Sequence, residues 1–203
     1  MHIEFLVEEY SAEEALKNLL PKILGPGHTF HIHAHQGKQD LLSKLRNRLH
    51  GYREWLPPNS CIVVLLDEDR ENCAALKRQI EDAASQVGFF TKTRPDHRGG
   101  FKVVSRLAIE ELEAWFFGDA EAIVGAYPKM PPKLASKRRY RNPDAITGGT
   151  WEALERELQK AGYYRGGLPK VEVARMVSQH MDPQRNRSRS FQVFREGVRA
   201  LVR

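Results

Sequence analysis

The sequence predicts an α/β fold: a mostly parallel, Rossmann-like sheet flanked by helices, with a basic helical extension on its C-terminal side. Three observations lead there. Strand and helix patterns alternate through residues 1–119 with short connections, which is the signature of strand–helix–strand units. One strand pattern, Cys61 to Leu66, is apolar throughout, as expected for a strand covered on both faces. Beyond Asp119 the alternation stops, Pro128, Pro131, Pro132 and Pro143 break the chain, and basic residues accumulate.

Taken in order, His2 to Val7 is a short β-rich run, and Ser11 with Glu14 three residues on reads as a capping box opening a helix. Ala15, Leu16, Leu19, Leu20 and Ile23 recur at helical spacing until Gly25-Pro26-Gly27 ends it. A second strand runs from about Thr29 to Ala34, followed by a helix with Leu41, Leu42, Leu45 and Leu49 on one face and a stop at Pro57-Pro58. After the third strand comes a helix over residues 70–87, with Gly88 at its C′ position. Phe101 to Ile109 makes a fourth strand. Three helices then read near Trp151–Ala161, Pro169–Met181 and Arg189–Val202. The organisation expected is a core over 1–119 and a basic helical extension over 120–203 packed on it.

The charge divides along the same line. Residues 1–119 hold 15 Lys and Arg against 18 Asp and Glu, a balance of −3, whereas residues 120–203 hold 17 against 8, a balance of +9. Such asymmetry fits a polyanionic partner, or simply a solvated basic surface. Two cysteines supply no disulfide framework. No apolar run approaches the length of a membrane span, and Met1-His2-Ile3-Glu4 lacks the features of a signal peptide. The expected location is the cytoplasm, with no membrane association.

The chemistry-bearing residues are acidic. In open α/β sheets ligands sit beyond the carboxyl ends of the strands, and there the first strand runs into Glu8-Glu9 and the third into Asp67-Glu68-Asp69. A D-x-D pair leaving a strand offers oxygen ligands to a hard cation such as Mg²⁺ or Mn²⁺, with waters completing its shell. Asp69 reads equally as the start of the following helix, where a carboxylate suits the dipole. A third cluster, Glu110-Glu111-Leu112-Glu113-Ala114-Trp115-Phe116-Phe117, sets Glu111 and Glu113 among residues that should be packed. Charges there must be paired, solvated or metal-bound, or lie in the first turn of a helix.

Together these pieces resemble the Toprim fold, whose motif is a glutamate after the first strand and a later strand ending in D-x-D. "FLVEE" supplies Glu8, and "LLDEDRE" supplies Asp67 and Asp69, while Glu9 stands where that motif usually has glycine. More specifically, the chain is similar to a bacterial Toprim-like family of unknown function through "ELEAWFFGD" (111–119), "SKR" (136–138), "NPDAI" (142–146) and "NRSRSF" (186–191). The resemblance implies a Mg²⁺- or Mn²⁺-dependent nuclease akin to the overcoming-lysogenization-defect (OLD) nucleases. These are linked to ABC-type AAA ATPases and to antiphage defence. It implies that Glu8, Asp67 and Asp69 hold a first metal, with Glu111 or Glu113 serving the same or a second ion. Lys137 or Lys38 would stabilise charge on the reacting phosphate. The competing reading is a non-catalytic module that docks on the ATPase. A homo-oligomer is compatible with either.

Two further stretches stand out. "KLASKRRYR" brings Lys133, Lys137, Arg138, Arg139 and Arg141 beside Tyr140, and "QRNRSRS" adds Arg185, Arg187 and Arg189. With Lys38 they are the candidates for contacting nucleic-acid phosphates, with Tyr140 able to stack on a base. "FHIHAH" places His31, His33 and His35 at period two, hence on one face of a strand. Three such histidines could bind a transition metal, but sites of that kind draw ligands from several elements. The run therefore reads as an edge strand or the polar mouth of the sheet. Gly37-Lys38 lacks the spacing of a P-loop.

Overall fold

A computed structural model describes residues 1–202. The strands are β1 (His2–Val7), β2 (Thr29–Ala34), β3 (Ser60–Asp67) and β4 (Val103–Ala108). They form one sheet in the order β2-β1-β3-β4, and every pairing is parallel. The intervening helices are α1 (Tyr10–Leu24), α2 (Lys38–Trp55) and α3 (Cys73–Gln86). After β4 come α4 (Glu113–Gly118), α5 (Ala120–Ala126), α6 (Thr150–Lys160), α7 (Lys170–His180) and α8 (Arg189–Arg199), with three short 3₁₀ turns between α5 and α6. Among the described residues, no helix is long and apolar enough to cross a membrane.

The two-residue period of the strands sorts the core. Ile3, Phe5 and Val7 of β1 and Cys61, Val63 and Leu65 of β3 face one cluster, shared with α1 and with apolar residues of α4–α8. Leu6 of β1 and Ile62, Val64 and Leu66 of β3 face the other, shared with Leu41, Leu45, Leu49 and Tyr52 of α2 and Ile80 of α3. Both faces of β3 are thus covered, which is why its sequence shows no alternation. The basic second half is continuous with the first cluster: Ala153, Val177, Phe191 and Phe194 share one apolar core with Phe5 and Leu16.

This sorting also locates the crevice. α1 leaves β1 across one face to reach β2, whereas α2 and α3 cross the other face. The winding direction therefore reverses between β1 and β3, and the connections leaving their carboxyl ends depart to opposite faces of the sheet there.

Several boundaries differ from the sequence expectation for physical reasons. α1 begins at Tyr10 with Glu9 as its extended N-cap, so Ser11 lies inside the helix and its hydroxyl donates to Glu9 Oε2 at 3.4 Å. Glu14 pairs with Lys17 instead of completing a capping box. α3 starts at Cys73 because Asn72 accepts the Ala75 N–H. Asp69 is therefore not that helix's cap.

Candidate acidic crevice at the strand ends

Glu8 and Asp67 meet at the β1/β3 reversal. The Glu8 carbonyl accepts the Gly37 N–H at 3.0 Å, tying the end of β1 to the start of α2. Its carboxylate Oε2 accepts the Asp67 N–H at 3.0 Å, so one glutamate joins the ends of both central strands. Glu9, where the Toprim motif favours glycine, has φ −137° and ψ 164°. That is ordinary extended backbone, so the side chain there imposes no strain.

Beyond Asp67 the backbone is unusual. Asp69, Arg70 and Glu110 adopt positive φ of 52°, 63° and 61°, a region that suits aspartate moderately and arginine or glutamate poorly. The two loops hold each other there. Asp69 N–H donates to the Glu110 carbonyl at 2.9 Å, and Glu68 Oε2 accepts the Glu110 N–H at 3.1 Å. Glu68 Oε1 accepts from Cys73 Sγ, so this middle carboxylate of the D-E-D run serves the loop. Strained residues held by their surroundings concentrate at functional sites.

The electrostatics are those of an under-neutralised acidic pocket. Burial raises the Asp67 carboxyl well above its ordinary value, and the charges of Glu113, Glu8 and Asp69 push it further in the same direction. Glu113, only 2% exposed, is pushed up to about 7, by burial first and by Glu111 against the opposing pull of Lys170. Burial raises Glu8 as well, with Asp69 adding to it, against the Asp67 N–H bond and Lys38.

Two lysines answer this charge. Lys38, 7% exposed, reaches Asp69 Oδ2 at 2.9 Å, Glu71 Oε1 at 2.8 Å and the Glu68 carbonyl at 3.2 Å. Lys170 stands at the first position of α7. Burial alone would lower its pKa, but Glu113, Glu9, Glu111 and Asp67 outweigh that and raise it. Its ammonium also lies 5.1 Å from the Trp151 ring centroid. Trp151 is therefore half-buried at this site, not a core residue like Trp115. Lys170 escaped the sequence reading, yet there was a signal. A lysine in a helix's first turn opposes the dipole, so some other charge had to favour it.

The remaining expected residues are arranged differently. Glu111 is engaged by α6: its Oε2 accepts from Thr150 Oγ1 at 2.7 Å and from Trp151 N–H at 2.8 Å. Lys137 pairs with Glu157, which also takes the Tyr140 hydroxyl at 3.0 Å. Lys38 and Lys170 act on the charge of the crevice, whereas the expected catalytic Lys137 is engaged by Glu157. Tyr140 is fully buried and stacked on Phe117 at 4.5 Å, so it offers no face to a base. Arg185 clamps Asp119 through two bonds of 2.7 and 3.0 Å, which makes it a structural residue. Lys133, Arg138, Arg139, Arg141, Arg187 and Arg189 have exposed side chains. Lys137, Arg138, Arg139 and Lys160 line an open groove of ≈ 610 Å³.

Spacing within the crevice is loose. Among the described residues, the group of three or more potential ligands whose donor atoms all lie within 4.8 Å of one another is Glu4, His31 and His33. Glu8, Asp67, Asp69, Glu111 and Glu113 do not converge that closely in threes. Their donor set is nonetheless all carboxylate oxygen, and Mg²⁺ commonly takes only one or two protein carboxylates together with waters. The residues fit such an ion.

Comparison with known proteins adds one assignment. Residues 7–199 match the family described as a domain of unknown function, DUF4276. The chain belongs to this family. The match takes in Glu8, Asp67, Asp69, Glu111, Glu113 and Lys170 of this DUF4276 protein. Among solved structures it is similar to the C-terminal region of the Xanthomonas campestris pv. campestris OLD protein, with a TM-score of 0.45 and 16% identity over 98% of this chain and 95% of that one. Likeness at that level carries no function across. No curated protein matches the chain.

Proposed function

We propose that this DUF4276 protein is a Toprim-type nuclease that hydrolyses nucleic-acid phosphodiesters with Mg²⁺ or Mn²⁺. The observation that carries the reading is the strand reversal itself, where Glu8 Oε2 accepts the Asp67 N–H at 3.0 Å and burial together with the charges of Glu113, Glu8 and Asp69 pushes the Asp67 carboxyl upward. Such a set is poised to accept a cation that relieves the repulsion. Asp67 with Glu113 or Glu8 would hold the ion, and Asp69 would exchange its Lys38 bond to join them. The chemistry a divalent cation supplies when bound is polarisation of a phosphoryl oxygen and a lowered pKa for water. Lys170, half-buried and coupled to the Glu113 charge, is placed to stabilise negative charge developing on the phosphate. Lys133, Arg138, Arg139, Arg141, Arg187 and Arg189 would hold the phosphate backbone without reading sequence.

The resemblance to OLD-type nucleases extends the proposal to an ABC-type AAA ATPase partner in antiphage defence, acting in the cytoplasm. The purified chain should cleave plasmid DNA or structured RNA with Mg²⁺ or Mn²⁺, and Asp67→Ala should abolish cleavage. Equal inertness of both proteins across substrates and metals would sink the catalytic reading. One set of observations favours a second reading, a non-catalytic module docking on the ATPase. Lys38 already pairs with Asp69, Glu111 is engaged by α6, and no three crevice carboxylates converge. Absence of saturable Mn²⁺ binding would favour that module.

A further inference from the structure

A second cluster of metal-ligating side chains lies on the other side of β1 from the apolar cluster that α1 fills. Glu4 of β1 sits opposite His31 of β2 in the parallel register, with His33 two residues further along the same face. Glu4 is 3% exposed, His33 half-buried and His31 exposed. The three offer donor atoms that all lie within 4.8 Å of one another. His33 Nε2 is 2.5 Å from Glu4 Oε2, and the His31 and His33 rings stand with centroids 4.3 Å apart.

A carboxylate in this position is unusual. Its neighbours on the same face are Leu6 of β1 and Tyr52 of α2, both buried in the second apolar cluster. It is held by more than the two histidines. The Tyr52 hydroxyl donates to Oε2 at 3.1 Å, and His2 Nε2 meets Oε1 at 2.9 Å while His2 Nδ1 meets Thr29 Oγ1 at 2.8 Å. Ligating carboxylates are characteristically oriented by outer hydrogen bonds of this kind. His35 stands apart: it follows the end of β2, is buried, and its Nδ1 contacts the Val7 carbonyl at 3.0 Å.

We propose that Glu4, His31 and His33 form a binding site for a transition-metal cation of the Zn²⁺ class. Two imidazoles and one carboxylate are the donor set of three-ligand zinc sites, which leave the fourth position to water or an exogenous ligand. Tetrahedral zinc with bonds near 2.1 Å sets its ligand atoms roughly 3.4 Å apart, and the three donor atoms here already lie within 4.8 Å of one another. The exposed His31 puts the open position at the outer edge of the sheet. Nitrogen donors select against Mg²⁺, so this site and the acidic crevice differ in the metal they prefer. They also differ in place, since Glu4 and Glu8 lie four residues or about 13 Å apart along an extended chain. The ion would pin the edge strand β2, which among the described residues pairs only with β1, to the centre of the sheet.

The test is Zn²⁺ titration of the chelator-stripped full chain by calorimetry, with Co²⁺ absorption reporting coordination. One tight Zn²⁺ per chain that excess Mg²⁺ does not displace is expected, with Co²⁺ giving the intense visible bands of low coordination. His31→Ala and His33→Ala should each weaken binding at least tenfold, and Tyr52→Phe by about tenfold through the outer hydrogen bond. His35→Ala and Asp67→Asn should leave it unchanged. His31 is exposed, so its variant should fold, and an unchanged melting temperature in chelator verifies this. Absence of tight Zn²⁺ binding, or binding indifferent to both His31→Ala and His33→Ala, would overturn the proposal.

Discussion

On the proposed reading, Glu113 trades stability for a binding role. It is buried, and its folded pKa is raised from 4.5 to about 7. A raised acid leaves stability intact below the unfolded pKa and loses it as pH rises through the folded value. Glutamine bears no such loss. At about pH 8 in chelator, Glu113→Gln should therefore be more stable than wild type by about 1–3 kcal/mol, and the gap should shrink in saturating Mg²⁺. Denaturant unfolding with and without the ion checks both statements. Lys170 gives the complementary case. Lys170→Met should lower cleavage about 100-fold, yet tighten Mn²⁺ binding by removing a competing cation. A parallel loss of rate and Mn²⁺ affinity would make Lys170 a structural residue instead. At this scale the sequence exposed the acids well, because carboxylates after apolar runs are conspicuous, and it offered Lys38 among its candidate cations. It hid Lys170 and Trp151, which reach the crevice only through tertiary packing.

Among the elements, the strands were the most legible. β1 and β2 fall where the alternation and turn signals put them, and β3 gains Ser60 and Asp67 at its ends. The segment "NRSRS" was assigned a role by its charge, and three of its five residues do something else. Asn186 donates to the Trp115 carbonyl at 2.8 Å and fits against Gly118, where an added Cβ would meet Asn186 Oδ1 at 2.1 Å. Asp144 of "NPDAI" accepts from Ser188 Oγ at 2.7 Å, Arg189 N–H at 2.6 Å and Ser190 N–H at 3.1 Å, anchoring the start of α8. The polar residues latch α8 onto α4, and the arginines between them point to solvent. These roles separate by mutation. Asp144→Ala should cost about 1–2 kcal/mol, as loss of a helix N-terminal acceptor does, read as a lowered melting temperature. Arg187→Ala should leave stability unchanged and reduce the salt dependence of nucleic-acid binding by about one phosphate contact.

For the molecule as a whole, the parallel sheet and its order turn separate sequence clusters into neighbours. The reversal between β1 and β3 is what brings Glu8 to Asp67, 59 residues apart along the chain, and no local pattern could reveal that contact. The same sheet brings Glu4 to His31 and His33. The histidine run alone read as an edge strand or the polar mouth of the sheet, of which it is the edge strand, and its carboxylate partner stayed hidden because it comes from a different strand. The charge split also takes a physical form: the acidic crevice lies at the strand ends, and exposed arginines and lysines occupy the helical half that shares its core. The central claim is that this crevice binds a hard divalent cation through Asp67. It is tested most directly by titrating the chelator-stripped protein with Mn²⁺ and following free ion by electron paramagnetic resonance, for wild type and Asp67→Asn. Saturable binding in wild type that Mg²⁺ competes away, and that Asp67→Asn abolishes while His33→Ala does not, is the expected result. No saturable binding, or identical binding by wild type and Asp67→Asn, would contradict it.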